Sequence, residues 1–382
     1  MKVALVHDYL REYGGAERVL EVLHEIYPEA PVYVAYYNED ALGTKGDAFR
    51  GWDIRSSWLK YLPFANKLIS PFRIFAPFIF RNFDLSEYDL VISSCNIYFS
   101  KAVKVKKGAL HLSYIHTPPR YLYGYATSYN YKKHWWSRIG GEIANHFLRI
   151  VDYEVSQRPD ILIANSKNVA ERIRKFYRRD SVVIYPPVIL SETKDIYSSP
   201  SPQNDKKKKS YFLTVGRLVR GKGIDLIIEA CGKLRLPLKV AGSGPEFENF
   251  KFQISNFKFK NIELLGAVSD GELVGLYTAA KATILASEDE DFGIVPVESM
   301  VAGTPVIAPR AGGYMETIID GKTGTLFEID SGQVTVESLI NGIKRFNEFN
   351  FKPEGCRKQA EKFSKERFKK EVIELIEANL HT

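Results

Sequence analysis

The sequence predicts an α/β fold with two domains, each built on a parallel sheet. Short apolar runs alternate with helical patterns in both halves of the 382-residue chain, which is typical of strands covered by helices on both faces. A chain of this length exceeds one ordinary core. Between Val188 and Ser210 the composition changes to Ser, Pro, Asn, Asp and Lys, as in a linker. We therefore expect domains over residues 1–190 and 211–363, joined by a linker over 191–210.

The first domain begins with a short apolar run, Lys2 to Val6, which predicts its first strand. Gly14-Gly15 and an amphipathic helix from Ala16 to Ile26 follow. Further apolar runs predict strands at Leu90–Ser94, Leu110–Ile115 and Ile161–Ala164. Strands and helices in this order indicate a parallel sheet with helices on both faces.

The second domain repeats the alternation. Its predicted strands are Tyr211–Val215, Leu238–Ala241, Ile262–Leu265, Ala282–Ala286 and Val306–Ala308. Helical patterns lie between them, for example from Ile224 to Cys231 and from Asp270 to Ala280. Ser364 is a candidate N-cap of a last helix over residues 364–382, which we expect to cross back to the first domain.

Composition is that of a soluble globular protein, with 45% apolar and 26% charged residues. The three cysteines, Cys95, Cys231 and Cys356, are widely spaced and form no metal-binding or CxxC pattern, which favours a reducing compartment. The first apolar run is too short for a signal peptide, and no apolar run is long enough for a membrane-spanning helix. We expect a cytoplasmic protein.

The formal charge of +7 favours anionic partners. From Ile54 to Arg81 the chain carries five basic residues, seven aromatic residues and no acidic one. Such a stretch suits the headgroups of an anionic membrane; alternatively, its aromatic residues belong to the core and its cations to a solvated face. Pro63, Pro71 and Pro77 exclude one long membrane helix. We expect peripheral contact with the inner face of the cytoplasmic membrane.

A glycine-rich loop opens the second domain, between a predicted strand ending at Val215 and a helix starting near Ile224. It carries Gly216, Gly221 and Gly223 together with two cations, Arg217 and Lys222. Glycines allow close backbone approach, a helix start offers N–H groups, and the cations add charge. The combination suits a pyrophosphate, and the alternative is a solvated basic loop.

Two glutamates, Glu290 and Glu298, lie eight positions apart, after a predicted strand and across the start of a helix that we expect to begin at Pro296. In an open α/β sheet ligands bind at the carboxyl ends of the strands, and carboxylates there accept hydrogen bonds from the hydroxyl groups of a ligand. Glu298 could instead complement the helix dipole. Glu290 lies in the acidic run 288–291, so that a neighbouring acid could share its role.

These motifs together resemble the family 4 glycosyltransferases, and the resemblance is strongest from Tyr211 to Gly324. It is carried by the E-x7-E pair, the G-R-x4-K-G loop, Ala241-Gly-Ser-Gly-Pro245, and Ala311-Gly-Gly313 with Glu316 and Gly324. The resemblance implies the GT-B fold, in which two Rossmann-like domains with parallel sheets face a central cleft. It also implies a retaining, metal-independent enzyme that uses a nucleotide-sugar donor and no cofactor.

The resemblance assigns roles to individual residues. Arg217 and Lys222 would hold the donor diphosphate, Glu298 would bind the ribose hydroxyls, and Glu290 would contact the donor sugar. His116, in Tyr114-Ile-His-Thr-Pro-Pro-Arg120, matches the histidine beside the transferred sugar, and His7 would lie on the cleft wall. The other residues implied in donor binding are Gly14, Gly15, Gly266, Val268, Phe292, Gly293, Ile294 and Val295.

The expected reaction is a same-face substitution in which the leaving phosphate accepts the proton of the acceptor. Similarity to bacterial polysaccharide mannosyltransferases favours mannose from GDP-mannose, with a UDP-sugar as the alternative. A glycan or lipid-linked oligosaccharide is the expected acceptor, in cell-surface polysaccharide biosynthesis. A nucleic-acid-binding protein would leave the glutamate pair and the Arg–Lys loop unexplained, so we expect no nucleic acid partner. A non-catalytic binder of sugar nucleotides and a GT-B epimerase remain alternatives.

Overall fold

The computed structural model describes residues 1–62, 72–125, 135–188 and 210–380. The chain forms two compact units, Met1–Pro187 with Lys365–Thr382, and Val188–Ser364. The predicted linker lies outside the described residues except for Ser210. Pro63 and Pro71 of the basic aromatic stretch also lie outside them.

The first unit is built on a seven-stranded parallel sheet in the order β3-β2-β1-β5-β7-β8-β9, and β4 and β6 pair separately. These strands are β1 (Val3–His7), β2 (Val32–Val34), β3 (Ile54–Ser56), β4 (Asp84–Leu85), β5 (Leu90–Cys95), β6 (Lys104–Val105), β7 (Leu110–Ile115), β8 (Ile161–Ala164) and β9 (Val182–Val183). The register between β1 and β5 sets His7 beside Ser94. Since paired residues of neighbouring strands point to the same face, these two side chains can meet.

Helices cover both faces of this sheet, as burial of β5 along its whole length requires. They are α1 (Gly15–Ile26), α2 (Glu39–Leu42), α3 (Ala76–Arg81), α4 (Trp135–Ser156), α5 (Lys167–Tyr177) and, from the end of the chain, the last helix (Lys365–Leu380). The last helix is tied to this unit by Lys365 and Lys369, which both pair with Glu25. Phe368 of the same helix is fully buried and packs against Tyr114.

The second unit has a six-stranded parallel sheet in the order β12-β11-β10-β13-β14-β15. Its strands are β10 (Tyr211–Val215), β11 (Leu238–Ala241), β12 (Ile262–Gly266), β13 (Ala280–Ile284), β14 (Val306–Pro309) and β15 (Gly324–Phe327). Its helices are α6 (Ile224–Lys233), α7 (Phe247–Asn256), α8 (Asp270–Ala279), α9 (Ile294–Val301), α10 (Tyr314–Thr317), α11 (Val336–Phe346) and α12 (Pro353–Ala360), which makes the last helix α13. The predicted α/β fold with parallel sheets is therefore confirmed.

Several boundaries differ from the sequence-based expectation by one or two residues, and two of these differences have a clear physical cause. Strand β13 ends at Ile284, two residues before the end of its apolar run, because the run continues into a buried loop that hydrophobicity cannot distinguish from strand. Helix α9 begins at Ile294 and not at Pro296. Pro296 is still within the first turn, where a missing N–H costs no hydrogen bond.

Buried polar groups join the carboxyl ends of β1 and β5 in the first sheet. The Asp8 carboxylate, directly after β1, accepts four backbone N–H groups from the loop after β5, those of Asn96, Ile97, Tyr98 and Ser100, at 2.6–3.0 Å. Each of these charge-assisted hydrogen bonds satisfies a donor that the loop would otherwise leave unpaired. The loop that follows Ser94 is thereby fixed to the end of β1.

Candidate active site

The loops after β10 and β13 meet at the carboxyl edge of the second sheet, where these two strands are neighbours. Lys222 Nζ lies 2.7 Å from Glu290 Oε2, and the two side chains are 34% and 20% exposed. The backbones also approach closely: Gly223 has φ +64, and a Cβ at this position would lie 2.5 Å from the carbonyl oxygen of Ala286. Only glycine fits there, so the loop brings Lys222 to Glu290 through a backbone contact.

Two helices begin at this edge without a side-chain cap. Gly223 is the N-cap of α6 and Gly293 is the N-cap of α9, both in the left-handed region and both without a side-chain cap. The first N–H groups of a helix carry partial positive charge and bind anions when no side chain satisfies them. The site therefore combines a cation, a carboxylate and two helix N-termini.

Glu298 lies in the second turn of α9 and is 4% exposed. Tyr277 Oη donates to Glu298 Oε2 at 3.0 Å, and Tyr277 is itself fully buried. A position beyond the first turn disfavours the alternative that Glu298 merely complements the helix dipole, which acts mainly on terminal residues. Sequence reasoning missed Tyr277, because no local pattern links a tyrosine at the end of α8 to a glutamate on α9.

A third loop, the one after β14, also contacts Glu290. The N–H of Gly313 donates to the Glu290 carbonyl oxygen at 2.8 Å, and a Cβ at Gly313 would lie 2.4 Å from the Phe292 Cα. Tyr314 Oη lies 3.4 Å from Glu290 Oε2, and burial together with Glu290 raises the pKa of Tyr314. Hence the Ala311-Gly-Gly313 motif is explained by close packing, and Tyr314 is a contact that the sequence did not predict.

The acidic run around Glu290 divides by geometry. Glu288 Oε1 accepts the backbone N–H of Val334 at 2.7 Å, so that Glu288 holds a neighbouring loop. Within the run, the ion pair to Lys222 is formed by Glu290. This arrangement favours Glu290 over Glu288 as the acid of the site.

The remaining predicted residues of the second unit lie at the same edge of the sheet. Arg217 is exposed on the loop after β10. Gly266 ends β12, and its carbonyl accepts the N–H of Gly242 at 2.7 Å; Val268, two residues later, is partly buried. Phe292 is buried, and Ile294 and Val295 form the partly buried first turn of α9. All of them stay predictions as donor contacts.

In the first unit, a buried chain of hydrogen bonds links the glycine loop to His116. Gly14 is the N-cap of α1 and Gly15 its first residue, and the Gly14 N–H donates to Glu17 Oε2 at 2.8 Å. Glu17 Oε1 lies 3.4 Å from His7 Nε2. Ser94 Oγ then lies 3.0 Å from His7 Nδ1 and 2.8 Å from His116 Nε2.

His116 directly follows β7 and is 8% exposed. Burial, together with the neighbouring His7, lowers the pKa of His116 to about 3. The ring is therefore neutral at physiological pH and can accept or donate a hydrogen bond without carrying charge. Sequence reasoning placed His7 on a wall of the site, and the structure connects His7 to His116 through Ser94.

Two negative observations apply to the described residues alone. In residues 1–62, 72–125, 135–188 and 210–380, no three or more His, Cys, Asp and Glu side chains converge in the manner of a metal site. Over the same described parts of the chain, the helices are all too short or too polar to cross a bilayer. Metal independence and the location of the protein stay predictions.

The two halves of the chain match two family models. Residues 13–192 match the model described as Glycosyltransferase Family 4, and residues 198–363 match that of Glycosyl transferases group 1. Together the models account for nearly the whole chain, in the order of the two structural units. The chain thus carries, in this order, a region similar to the Glycosyltransferase Family 4 model and a region similar to the Glycosyl transferases group 1 model.

Curated relatives agree with this class. The chain is 31% identical over 188 residues to an uncharacterized glycosyltransferase of Methanocaldococcus jannaschii, covering 48% of this chain and 50% of that protein. It is 26% identical over 216 residues to a D-inositol 3-phosphate glycosyltransferase of Corynebacterium aurimucosum, covering 50% of each. The matched regions span about half the length of these relatives.

Solved structures share the fold over the whole chain. HepE of Anabaena, in complex with UDP-glucose, superimposes with a TM-score of 0.68 at 19% identity, covering 99% of this chain and 100% of HepE. Sucrose-phosphate synthase of Thermosynechococcus elongatus gives a TM-score of 0.67 at 18% identity, covering 100% and 98%. At this identity the likeness shows the fold, which is GT-B.

Proposed function

We propose that the protein transfers a sugar from a nucleotide-sugar donor to a hydroxyl group of an acceptor, with retention of anomeric configuration and without a metal ion. The observation that carries this proposal is the Lys222–Glu290 pair at 2.7 Å, whose residues lie one and three positions before Gly223 and Gly293, the N-caps of two helices without side-chain caps. A pyrophosphate requires positive charge and N–H donors, and a sugar requires carboxylate acceptors. The site offers both within one loop cluster.

The charges account for departure of the nucleotide. When the bond between the anomeric carbon and the diphosphate oxygen breaks, its electron pair goes to the diphosphate and the sugar gains positive character. Lys222, Arg217 and the helix N-termini stabilise the first charge as preorganised electrostatics. The carboxylate of Glu290 is suited to the sugar, and in the absence of donor it keeps Lys222 in place.

Retention follows if the acceptor oxygen attacks from the face that the diphosphate leaves. The acceptor hydroxyl forms the new bond to the anomeric carbon, and its proton passes to the departing phosphate oxygen. No protein nucleophile is required, and we assign none. Glu298, held by Tyr277, would bind the ribose hydroxyls of the nucleotide.

The donor that we propose is GDP-mannose, on the resemblance of the first-domain segments around His7 and His116 to polysaccharide mannosyltransferases. A UDP-sugar is the second candidate, because the structurally similar HepE was solved with UDP-glucose. The acceptor that we propose is a glycan or a lipid-linked oligosaccharide of cell-surface polysaccharide biosynthesis.

Thermal shift with a donor panel tests the site. We expect GDP-mannose, or else one of UDP-glucose, UDP-galactose and UDP-N-acetylglucosamine, to raise the melting temperature, since a ligand that binds only the folded state stabilises it. EDTA is expected to leave the shift unchanged. No shift with any donor would contradict the proposal, and loss of the shift with EDTA would contradict the metal-free part. A shift without turnover on glycan acceptors would favour a non-catalytic binder.

Peripheral membrane contact is part of the proposal. Within the basic aromatic stretch, Leu59, Ile79 and Phe80 belong to the core, whereas other apolar side chains point outward. The exposed ones are Trp58 at 47%, Tyr61 at 78%, Ile74 at 45%, Phe75 at 50% and Phe78 at 59%. Exposed aromatic side chains flanked by cations suit an anionic lipid interface.

Vesicle flotation tests this surface. We expect the protein to float with vesicles that contain anionic phospholipid and not with neutral ones, and the double substitution Phe75→Ser/Phe78→Ser to reduce flotation several-fold because it removes apolar area that enters the interface. Phe252→Ser is the matched control, since Phe252 is 71% exposed in the other unit. Equal flotation of the double variant and the wild type would show that this surface is not the contact.

A further inference from the structure

The buried chain Glu17–His7–Ser94–His116 has a direction that its chemistry fixes. All four side chains are at most 8% exposed, so that water does not supply alternative partners. Ser94 Oγ contacts both imidazoles, at 3.0 and 2.8 Å. A hydroxyl group has one proton, and Ser94 therefore donates to one histidine and accepts from the other.

Glu17 decides which histidine receives the Ser94 proton. A carboxylate only accepts hydrogen bonds, so its partner His7 Nε2 carries a proton. In an imidazole that carries its single proton on Nε2, Nδ1 has a lone pair, and in His7 this lone pair takes the Ser94 proton. Ser94 Oγ in turn accepts from Nε2–H of His116.

We propose that Glu17, His7 and Ser94 are positioning residues that fix His116 in one tautomer, with its proton on Nε2 and a lone pair on Nδ1. The structure gives Nδ1 of His116 no hydrogen bond to any of the described residues. We assign this lone pair to a hydroxyl group of the sugar substrate, and this assignment rests on the proposed function. His116 is thus an acceptor toward the sugar and not a donor.

Nitrogen-15 NMR reads the tautomer directly and requires no substrate. In two-bond ¹H–¹⁵N spectra of the full chain, assigned by the loss of signals in His116→Gln, we expect His116 to show a protonated Nε2 and an unprotonated Nδ1. Ser94→Ala removes the link, and both tautomers of His116 should then be populated. A protonated Nδ1 in the wild type, or an unchanged tautomer in Ser94→Ala, would overturn the inference.

Glu17→Gln gives a sharper result, because Gly14 orients this side chain. Glu17 Oε2 accepts the Gly14 N–H at 2.8 Å, so a glutamine oxygen should occupy that place and turn its NH₂ group toward His7. His7 Nε2 would then have to accept, and each hydrogen bond of the chain would reverse. We expect Glu17→Gln to move the His116 proton to Nδ1. A proton that stays on Nε2 would contradict the proposed direction of the hydrogen bonds in the buried chain.

The opposite face of the sheet supplies a matched control. Ser93 Oγ lies 3.0 Å from His111 Nε2, both residues are fully buried, and burial lowers the pKa of His111 to about 3. Ser93→Ala thus removes an equivalent Ser–His hydrogen bond that does not belong to the buried chain, and the tautomer of His116 should not change. A change in Ser93→Ala as large as that in Ser94→Ala would show a general structural effect.

Kinetics test the assignment of the lone pair to the substrate. A hydrogen bond that a sugar hydroxyl donates to His116 in the transition state is worth about tenfold in rate. Glu17→Gln, which moves the His116 proton to Nδ1, should therefore lower kcat about tenfold with little change in the donor KM. Ser94→Ala leaves both tautomers populated and should lower kcat about two- to fivefold. Ser94→Thr, which keeps the hydroxyl group, should recover most of it, and an unchanged kcat in Ser94→Ala would refute the assignment. If wild-type protein turned over no donor, the proposed function would fail while the NMR result still decided the tautomer.

Discussion

Replacing Lys222 with alanine is expected to lower kcat by about 10²- to 10³-fold or more while leaving the fold intact. The reason is that the variant removes one preorganised charge from the place where the leaving diphosphate develops its own. It also leaves Glu290 without the cation that lies 2.7 Å from it. The measurement is steady-state turnover of whichever donor stabilises the wild type, together with the melting temperature.

Arg220→Ala is the matched control for this loss. Arg220 is on the same loop and also carries one positive charge, but its side chain is 72% exposed and pairs with Glu246. If turnover depended only on the net charge of the loop, both variants would lose it equally, and the specific assignment of Lys222 would be wrong. We expect Arg220→Ala to retain most of the wild-type rate.

The largest effect on stability is expected from Asp152→Ala. Lys101 Nζ and Asp152 Oδ1 lie 2.6 Å apart with both side chains fully buried, and Tyr123 Oη donates to the second Asp152 oxygen at 2.8 Å. Burial opposes the charge of Lys101, yet Asp152 raises the pKa of Lys101 above its usual value. Removing Asp152 leaves a buried, unpaired ammonium, which costs about 3–5 kcal/mol of unfolding free energy.

Tryptophan fluorescence during urea unfolding reports on the first structural unit, which contains Lys101 and Asp152, because all four tryptophans lie within the first 136 residues. Two variants serve as comparisons. Asp180→Ala breaks an ion pair with Arg174 that is largely exposed, so the change should be small. Lys101→Met/Asp152→Leu replaces both charges by apolar groups and should restore most of the loss. A stability of Asp152→Ala close to that of Asp180→Ala would contradict the interpretation.

The fold was predictable to the extent that burial appears as an apolar run. Strand β8 was predicted with its observed bounds, because the polar residues Asp160 and Asn165 flank the apolar run there. Strand β13 was not, since its run continues into a loop that is as buried as the strand. The short strands β2 and β3 were not predicted, although β2 begins an apolar run that continues to Tyr37; β3, with the sequence Ile-Arg-Ser, has no run of its own.

The residues of the candidate site were also predictable only in part. Lys222, Glu290 and Glu298 follow from spacing and from their position after predicted strands. Tyr277 and Tyr314 do not, because they reach the glutamates across the fold from other elements. The position of Glu17, three residues after the N-cap Gly14 whose N–H it accepts, fits a helix start, and it gives no sign that Glu17 also faces His7.

By itself, the sequence determined the two-domain α/β class, the loop that carries Lys222 and the pair of glutamates, because these depend on local composition and on spacing along the chain. Only the tertiary structure decided that Lys222 pairs with Glu290 and that Ser94 joins His7 to His116. The physical reason is the register of parallel strands. Pairing β1 with β5 sets His7 beside Ser94, 87 positions away, and no local pattern encodes a contact of that range.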